Sequence, residues 1–229
     1  MALILAIDTS TKVCSVALHE DGVEIGHQAY HLQKSHSSLL PVIIKQLVEN
    51  VDLKMSALQA IAISAGPGSY TGLRIGTSTA KGLCYGLGIP LISYDSLDSM
   101  YESIKGTMKS KTLLCAMIDA RRMEVFCNLR DSHGAHVWQS APLILDENTF
   151  ETYKDQDLIL VGNGAAKCMA LYSKSKHISY LPDIYPNSFS VGEMVESKFI
   201  KQDFEDLAYF EPEYLKEYRT ILPKDKLNV

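Results

Sequence analysis

Apolar positions along this chain fall into short blocks whose spacing changes from one block to the next. "LILAID" (residues 3–8) is a continuous apolar run ending on an acid, and "VCSVALH" (13–19) follows after a polar turn. Runs this short, bounded by turn residues, predict strands. "EDG" (Glu20 to Gly22) predicts a hairpin turn into a third strand, Val23 to about Leu32. The period then widens to three or four residues over Ser37 to Asn50 and again over about 70–87, predicting two amphipathic helices. Pro41 falls near the start of the first, where the earliest N–H groups lack intrahelical partners. Between them lie a strand at 58–64 and the turn Gly66-Pro67-Gly68. A strand from Ile89 and a helix over about Asp95 to Lys105 complete the first set.

Three strands, helix, strand, helix, strand and helix predict a mixed α/β sheet flanked by helices. "GTMKSK" (106–111) reads as a linker, after which "TLLCAMID", "RMEVFCNLR" and "HVWQSAPLIL" open a second, similar set with fewer helices. The expected division is an N-terminal lobe at 1–105 and a C-terminal lobe with a tail at 106–229. The last stretch, "FEPEYLKEYRTILPKDKLNV", reads as a tail rather than a core element.

Charge narrows the functional classes. The 229 residues carry a net charge of −5, which argues against a broadly basic nucleic-acid surface and leaves only a local patch. No window approaches the ~20 apolar residues of a membrane span. "MALILAIDTSTK" lacks the basic start of a signal peptide, so a cytoplasmic protein is expected. The five cysteines are odd in number and never spaced C-x-x-C, which predicts core thiols rather than disulfides or a metal site.

"SAGPGSYTGLRIGTSTAKGL" (64–83) raises the main chemical question, because a glycine turn opening a helix is a common anion cradle. It lacks the G-x-x-x-x-G-K-[ST] spacing, and Lys81 lies three turns into the helix. Asp8-Thr9-Ser10 ends the first strand and reads either as a phosphate and metal contact or as turn chemistry. Asp119-Ala120-Arg121-Arg122 opens the matching hairpin of the second set. Arg121 stands where a phosphate turn needs glycine for close approach, leaving a local anion or RNA contact, or plain exposed charge. "LVGNGAA" (160–166), with Gly162 and Gly164, is either the remnant of an adenosine turn or a simple strand-to-helix turn. The histidines at 19, 27, 31 and 36 contain no H-E-x-x-H, and no Ser/His/Asp set can be assigned.

"LAIDTSTKVCSVAL", "HSSLLPVI", "ISAGPGSYTGLRIGTSTAKGL", "GIPLISYDSL" and "EPEYLKE", in that order, closely resemble the TsaB/YeaZ family of bacterial tRNA threonylcarbamoyladenosine biosynthesis proteins. The likeness is densest in the first hundred residues and thins to "IDARRMEVF", "LVGNGAA" and "PEYL" beyond. It implies the two-lobed fold of actin, sugar kinases and Hsp70, with the second lobe reduced. It also implies a non-catalytic role in forming N6-threonylcarbamoyladenosine at tRNA position 37. The larger paralogue, TsaD, is the metal-bearing transferase, and its two metal-binding histidines stand four apart on a helix. Here that register holds Ser96 and Met100, so no metal site is expected.

The same resemblance implies binding to TsaD, with a small ATPase, TsaE, joining, a homodimer in their absence, and tRNA reached through the complex. The implied contact is the helix pair at 37–50 and 70–87, through His36, Leu39, Leu40, Ile43, Leu47, Gly72, Arg74, Ile75, Gly76 and Thr79. Gly72 and Gly76, with Thr79, Ala80 and Leu83, would form the small-residue stripe that admits a second backbone, burial within the chain being the alternative. Vestigial nucleotide or anion contacts would be Asp8, Ser10, Gly68, Arg121, Gly162 and Gly164. No resident cofactor is expected, and weak ATP or ADP binding stays open. The rival reading is an autonomous ATP-dependent phosphotransferase of the sugar or acetate kinase type, supported by the two-lobed pattern and Asp8.

Overall fold

The computed structural model describes residues 2–31 and 36–216; the expected end of the third strand at Leu32 and the last part of the tail lie outside them. Two five-stranded sheets form the framework. The first is built from β1 (Leu3–Asp8), β2 (Val13–Glu20), β3 (Val23–His31), β4 (Ala60–Gly66) and β5 (Leu91–Asp95) in the order β3-β2-β1-β4-β5. The second is built from β6 (Leu113–Asp119), β7 (Glu124–Asp131), β8 (His136–Ile144), β9 (Leu158–Val161) and β10 (Ile178–Leu181) in the order β10-β9-β6-β7-β8. In each, an antiparallel meander of three strands meets two strands parallel to the first. The duplicated unit read from the chain is therefore present as one topology used twice.

Local chemistry explains the elements. Asp21 and Gly22 both take positive φ (49° and 78°), as the tight β2–β3 turn demands. Helix α2 (Tyr70–Leu87) starts at Ser69, whose side chain accepts from Gly72 N, and stops at left-handed Gly88, φ 68°. Helix α1 (His36–Asn50) begins one residue earlier than expected. Pro41 is thus its sixth residue, past the turn that tolerates a missing N–H, and it sits on the exposed face.

Strand period decides the packing. On β1, Leu3, Leu5 and Ile7 face α1 and α2 and join Leu40, Ile43, Ile44, Leu47 and Val48 in one core. Ala2, Ile4 and Ala6 face the other way, against Val191 and Val195 around helix α5 (Gly192–Ile200), which follows the single-turn helix α4 (Met169–Tyr172). On β6, Leu113, Cys115 and Met117 meet an aromatic core in which Trp138 stacks on Phe150 at 5.6 Å. Leu114, Ala116 and Ile118 meet helix α3 (Ser96–Ile104) through Leu97, Met100 and Tyr101. All five cysteines are free and buried, as expected of core thiols.

Two helices pack across the expected boundary at 105/106. Helix α3, from the first half of the chain, covers the second sheet, while α5 returns from the second half to cover the first. Among the described residues, the tail is likewise no tail. Residues 205–216 run back along the first lobe, with Glu205 N bonded to Leu91 O at 2.8 Å, Phe210 packed against the α1/α2 core and Pro212 buried.

Candidate functional site

The glycine turn is filled by the chain itself. Ser69 N donates to Ser10 O at 2.6 Å, and Thr9 Oγ1 donates to Gly72 O at 2.8 Å. A Cβ at Gly68 would stand 2.8 Å from Ser10 Cβ, and one at Gly66 would stand 2.8 Å from Glu213 O. Gly72 and Gly76 both face Thr9, so closely that a Cβ on either would overlap it. Gly68 and Gly72 admit the backbone of the β1–β2 turn, Gly76 the Thr9 side chain and Gly66 the carbonyl of Glu213. The expected small-residue partner stripe is therefore corrected: Gly72 and Gly76 are buried against the first sheet, and a Cβ at Gly82 or Gly86 meets nothing within 4 Å.

The two hairpin acids form matching turns with opposite surroundings. Asp8 Oδ1 accepts from Ser10 N at 2.9 Å, and Asp119 Oδ1 accepts from Arg121 N at 2.6 Å. Asp8 is fully buried; burial pushes its carboxyl up to about 6, against hydrogen bonds from Ser10 that lower it. Asp119 is exposed and paired with Lys167. Arg121 and Arg122 follow it at φ 73° and 52°, the left-handed region in which a phosphate turn would use glycine. Gly162 and Gly164 pack onto β6 rather than lining an open turn: Gly164 N bonds Met117 O at 3.1 Å, and a Cβ at Gly162 would overlap that carbonyl. Close packing against β6 and β7 accounts for both glycines.

The four histidines do not converge. His19 Nε2 lies 2.9 Å from Ser188 O in the interior, where burial lowers its pKa. His27 pairs with Glu24 at 2.7 Å and stacks on Phe189, His31 meets the edge of Tyr185, and His36 Nε2 lies 2.8 Å from Thr11 O. Ser96 and Met100 do share one face of α3, but both are buried: the Ser96 and Ser64 hydroxyls are 2.6 Å apart. At the lobe junction α3 is tied to β7 and β8. Ser140 Oγ donates to Asp95 Oδ2 at 2.5 Å, and Arg130 pairs with Asp98 at 2.5 Å. Burial, with Asp98 close by, pushes Asp95 up to about 7.

Of the expected partner residues, Leu40, Ile43 and Leu47 are core residues of this chain, a second correction. A sequence stripe cannot distinguish its own sheet from another protein. Leu39, Ile75 and Thr79 are partly buried, His36 is half-buried, and Arg74 is exposed. On these two helices and the returning segment, the large side chains presented outward include Val42, 48% exposed, on α1, Tyr85, 85% exposed, on α2, and Tyr209, 84% exposed, on the returning segment. That segment is the element sequence reasoning missed. Lys81 Nζ donates to Ala208 O and Phe210 O, both at 3.1 Å, Glu213 N donates to Ala65 O at 2.8 Å, and Arg74 Nε donates to the Tyr214 hydroxyl at 3.2 Å. Lys81, too far along the helix to meet a phosphate, is instead the clamp for the segment. Its signal in the sequence was Phe210, Pro212 and Tyr214 within a stretch otherwise rich in charge.

The protein-family model for TsaD, tRNA N6-adenosine threonylcarbamoyltransferase, matches residues 29–220. The TsaB protein of Buchnera aphidicola subsp. Baizongia pistaciae is 30% identical over 227 residues, covering 93% of this chain and 98% of that protein. The chain belongs to the TsaB/YeaZ family. The TsaB of Haemophilus influenzae is 28% identical over 225 residues, 93% of each chain, and is likewise a tRNA threonylcarbamoyladenosine biosynthesis protein. The crystal structure of YeaZ from Pseudomonas aeruginosa shares the fold, with a TM-score of 0.79 and 22% identity, covering 94% of this chain and all of that one. Membership of the TsaB family accords with two sheets of one topology and with the two-lobed fold that the resemblance implied. Among the described residues no helix is long and apolar enough to cross a membrane.

Proposed function

We propose that this chain is the non-catalytic, cytoplasmic subunit of a tRNA threonylcarbamoyladenosine synthesis complex, and that it activates the larger metal-bearing TsaD by docking on it. TsaE joins the assembly, tRNA is modified through the complex, and the chain forms a weaker homodimer when alone. It needs no resident cofactor. One observation carries the reading: both turns that could hold a phosphate are spoken for by the chain's own atoms. Ser69 N is taken by Ser10 O, and Arg121 occupies the glycine position beside Asp119. The phosphotransferase alternative finds Asp8 sealed and is not adopted.

The docking surface is the outer side of α1 and α2: Val42, Arg74 and Tyr85, with Leu39, Ile75 and Thr79 at its margin and Tyr209 beside it. Exposed tyrosine and arginine are the residue types that anchor protein interfaces. Light scattering of the chain mixed with its TsaD tests the reading, with each protein assayed alone for ATP turnover. A complex with no turnover from this chain is expected, and Val42→Glu with Tyr85→Ala, both exposed, should weaken it at least tenfold without lowering Tm. A chain that hydrolyses ATP by itself, or an undiminished complex with that double variant, refutes the proposal.

A further inference from the structure

With a net charge of −5, this chain can meet a polyanion only through a local excess of positive charge. The β6–β7 turn has one. Four cations, Arg121, Arg122, Lys167 and Lys216, stand around two carboxylates, Asp119 and Glu124. Both carboxylates are already taken, Asp119 by Lys167 and Glu124 by Lys216. Among the described residues neither arginine side chain makes an ion pair or a hydrogen bond, and both are exposed.

The turn that carries them is fixed. Arg121 N is held by Asp119 Oδ1 at 2.6 Å, Glu124 N by Arg121 O at 3.2 Å, and Ala120 N by Glu124 O at 3.1 Å. Two exposed arginines thus follow one another on a pinned backbone with positive φ at both residues. The fold does not require them, because the matching turn of the first lobe has Ser10 and Thr11 there, both buried. A free nucleotide's phosphate is not the natural occupant: the Arg121 N–H is already given to Asp119 Oδ1, and Arg121 stands where a phosphate turn uses glycine. A phosphate on the outside of the turn, part of a longer polyanion, suits the forked donors of arginine.

We infer that Arg121 and Arg122 are a phosphodiester contact through which this subunit grips tRNA. The inference rests on the proposed role in tRNA modification and adds to it a direct hold on the substrate.

The test uses the full chain with its TsaD, an end-labelled tRNA transcript read by fluorescence anisotropy, and salt from about 50 to 200 mM. Arg121→Glu/Arg122→Glu should lower tRNA affinity at least tenfold and flatten the slope of log K against log salt by about two, one per phosphate contact. Arg121→Lys/Arg122→Lys, which keeps the charge, should hold most of that slope. Light scattering should show equal assembly for all three forms. Unchanged affinity and slope in the glutamate variant overturn the inference. So does loss of assembly with that variant, which would make the turn a contact for an acidic protein surface. If the native chains do not assemble at all, the proposed function fails separately. The same titration on this chain alone then decides the arginines, and no binding by the native chain overturns their role.

Discussion

Replacing Gly72 and Gly82 by alanine, one at a time, asks a single helix the same question on its two faces. Each substitution removes a flexible residue from the interior of α2, and alanine gains about 0.8–1 kcal/mol of helix propensity over glycine. At Gly82 nothing lies within 4 Å of the new methyl, so that gain stands alone. Gly82→Ala should stabilise the protein by ~0.5–1 kcal/mol, a rise in Tm of about 2–3 °C for a chain of this size. At Gly72 the methyl would lie well under 3.0 Å from the Thr9 carbonyl oxygen and 3.3 Å from its carbon. A backbone carbonyl cannot rotate away as a side chain can. Helix α2 must therefore lift from the first sheet, and the bond from Thr9 Oγ1 to Gly72 O breaks with it. Overpacking of this kind costs about 1–3 kcal/mol and the hydrogen bond about 1 more. After the propensity gain, Gly72→Ala should lose about 1–3 kcal/mol, a fall in Tm of about 3–8 °C. Thermal unfolding followed by far-UV circular dichroism at one scan rate measures both. A Gly72→Ala protein as stable as the parent would refute the seating of α2 on Thr9, and with it the internal use of the glycine turn.

Three further outcomes follow from the same structure. Asp95 has a folded pKa of about 7 against 3.8 for an ordinary aspartate, so its contribution is fully present below about pH 4 and lost as pH rises through 7. Asp95→Asn, which can still cap α3, should therefore gain Tm relative to the parent between pH 5 and pH 8; an offset constant across that range contradicts the buried acid. Phe210→Ala should lower stability by ~1–2 kcal/mol because its ring is partly buried in the core, whereas Lys216→Ala, which loses only a surface ion pair, should cost less than ~1 kcal/mol. Denaturant titrations that reverse that order would dismiss the returning segment as a structural element. Finally, burial pushes the thiols of Cys14 and Cys168 up to about 12 and that of Cys84 up to about 11. A thiol-specific chromogenic reagent at pH 8 should thus label the folded chain hardly at all and all five cysteines in guanidinium, and rapid labelling of the native protein would show the core to be open.

Local sequence was enough to write the element order. The Asp21-Gly22 turn, the Ser69 cap and the Gly88 stop each act within a few residues, and β1 alternates between two cores because its side chains must. The family could also be read from ordered short motifs, since such motifs survive where overall identity falls to about 30%. Tertiary structure decided what those residues face. Gly72 and Gly82 are the same residue type in the same helix, yet one seats a carbonyl and the other faces open space. Helical period records spacing, not what lies opposite. Leu40, Ile43 and Leu47 made an apolar stripe that fits a partner as well as a sheet, and only the packed chain assigned it to its own core. The exchange of α3 and α5 between lobes, the sealing of Asp8 and the return of residues 205–216 across α2 all join positions far apart in sequence. Such contacts depend on how the whole chain closes on itself, and no local pattern encodes them.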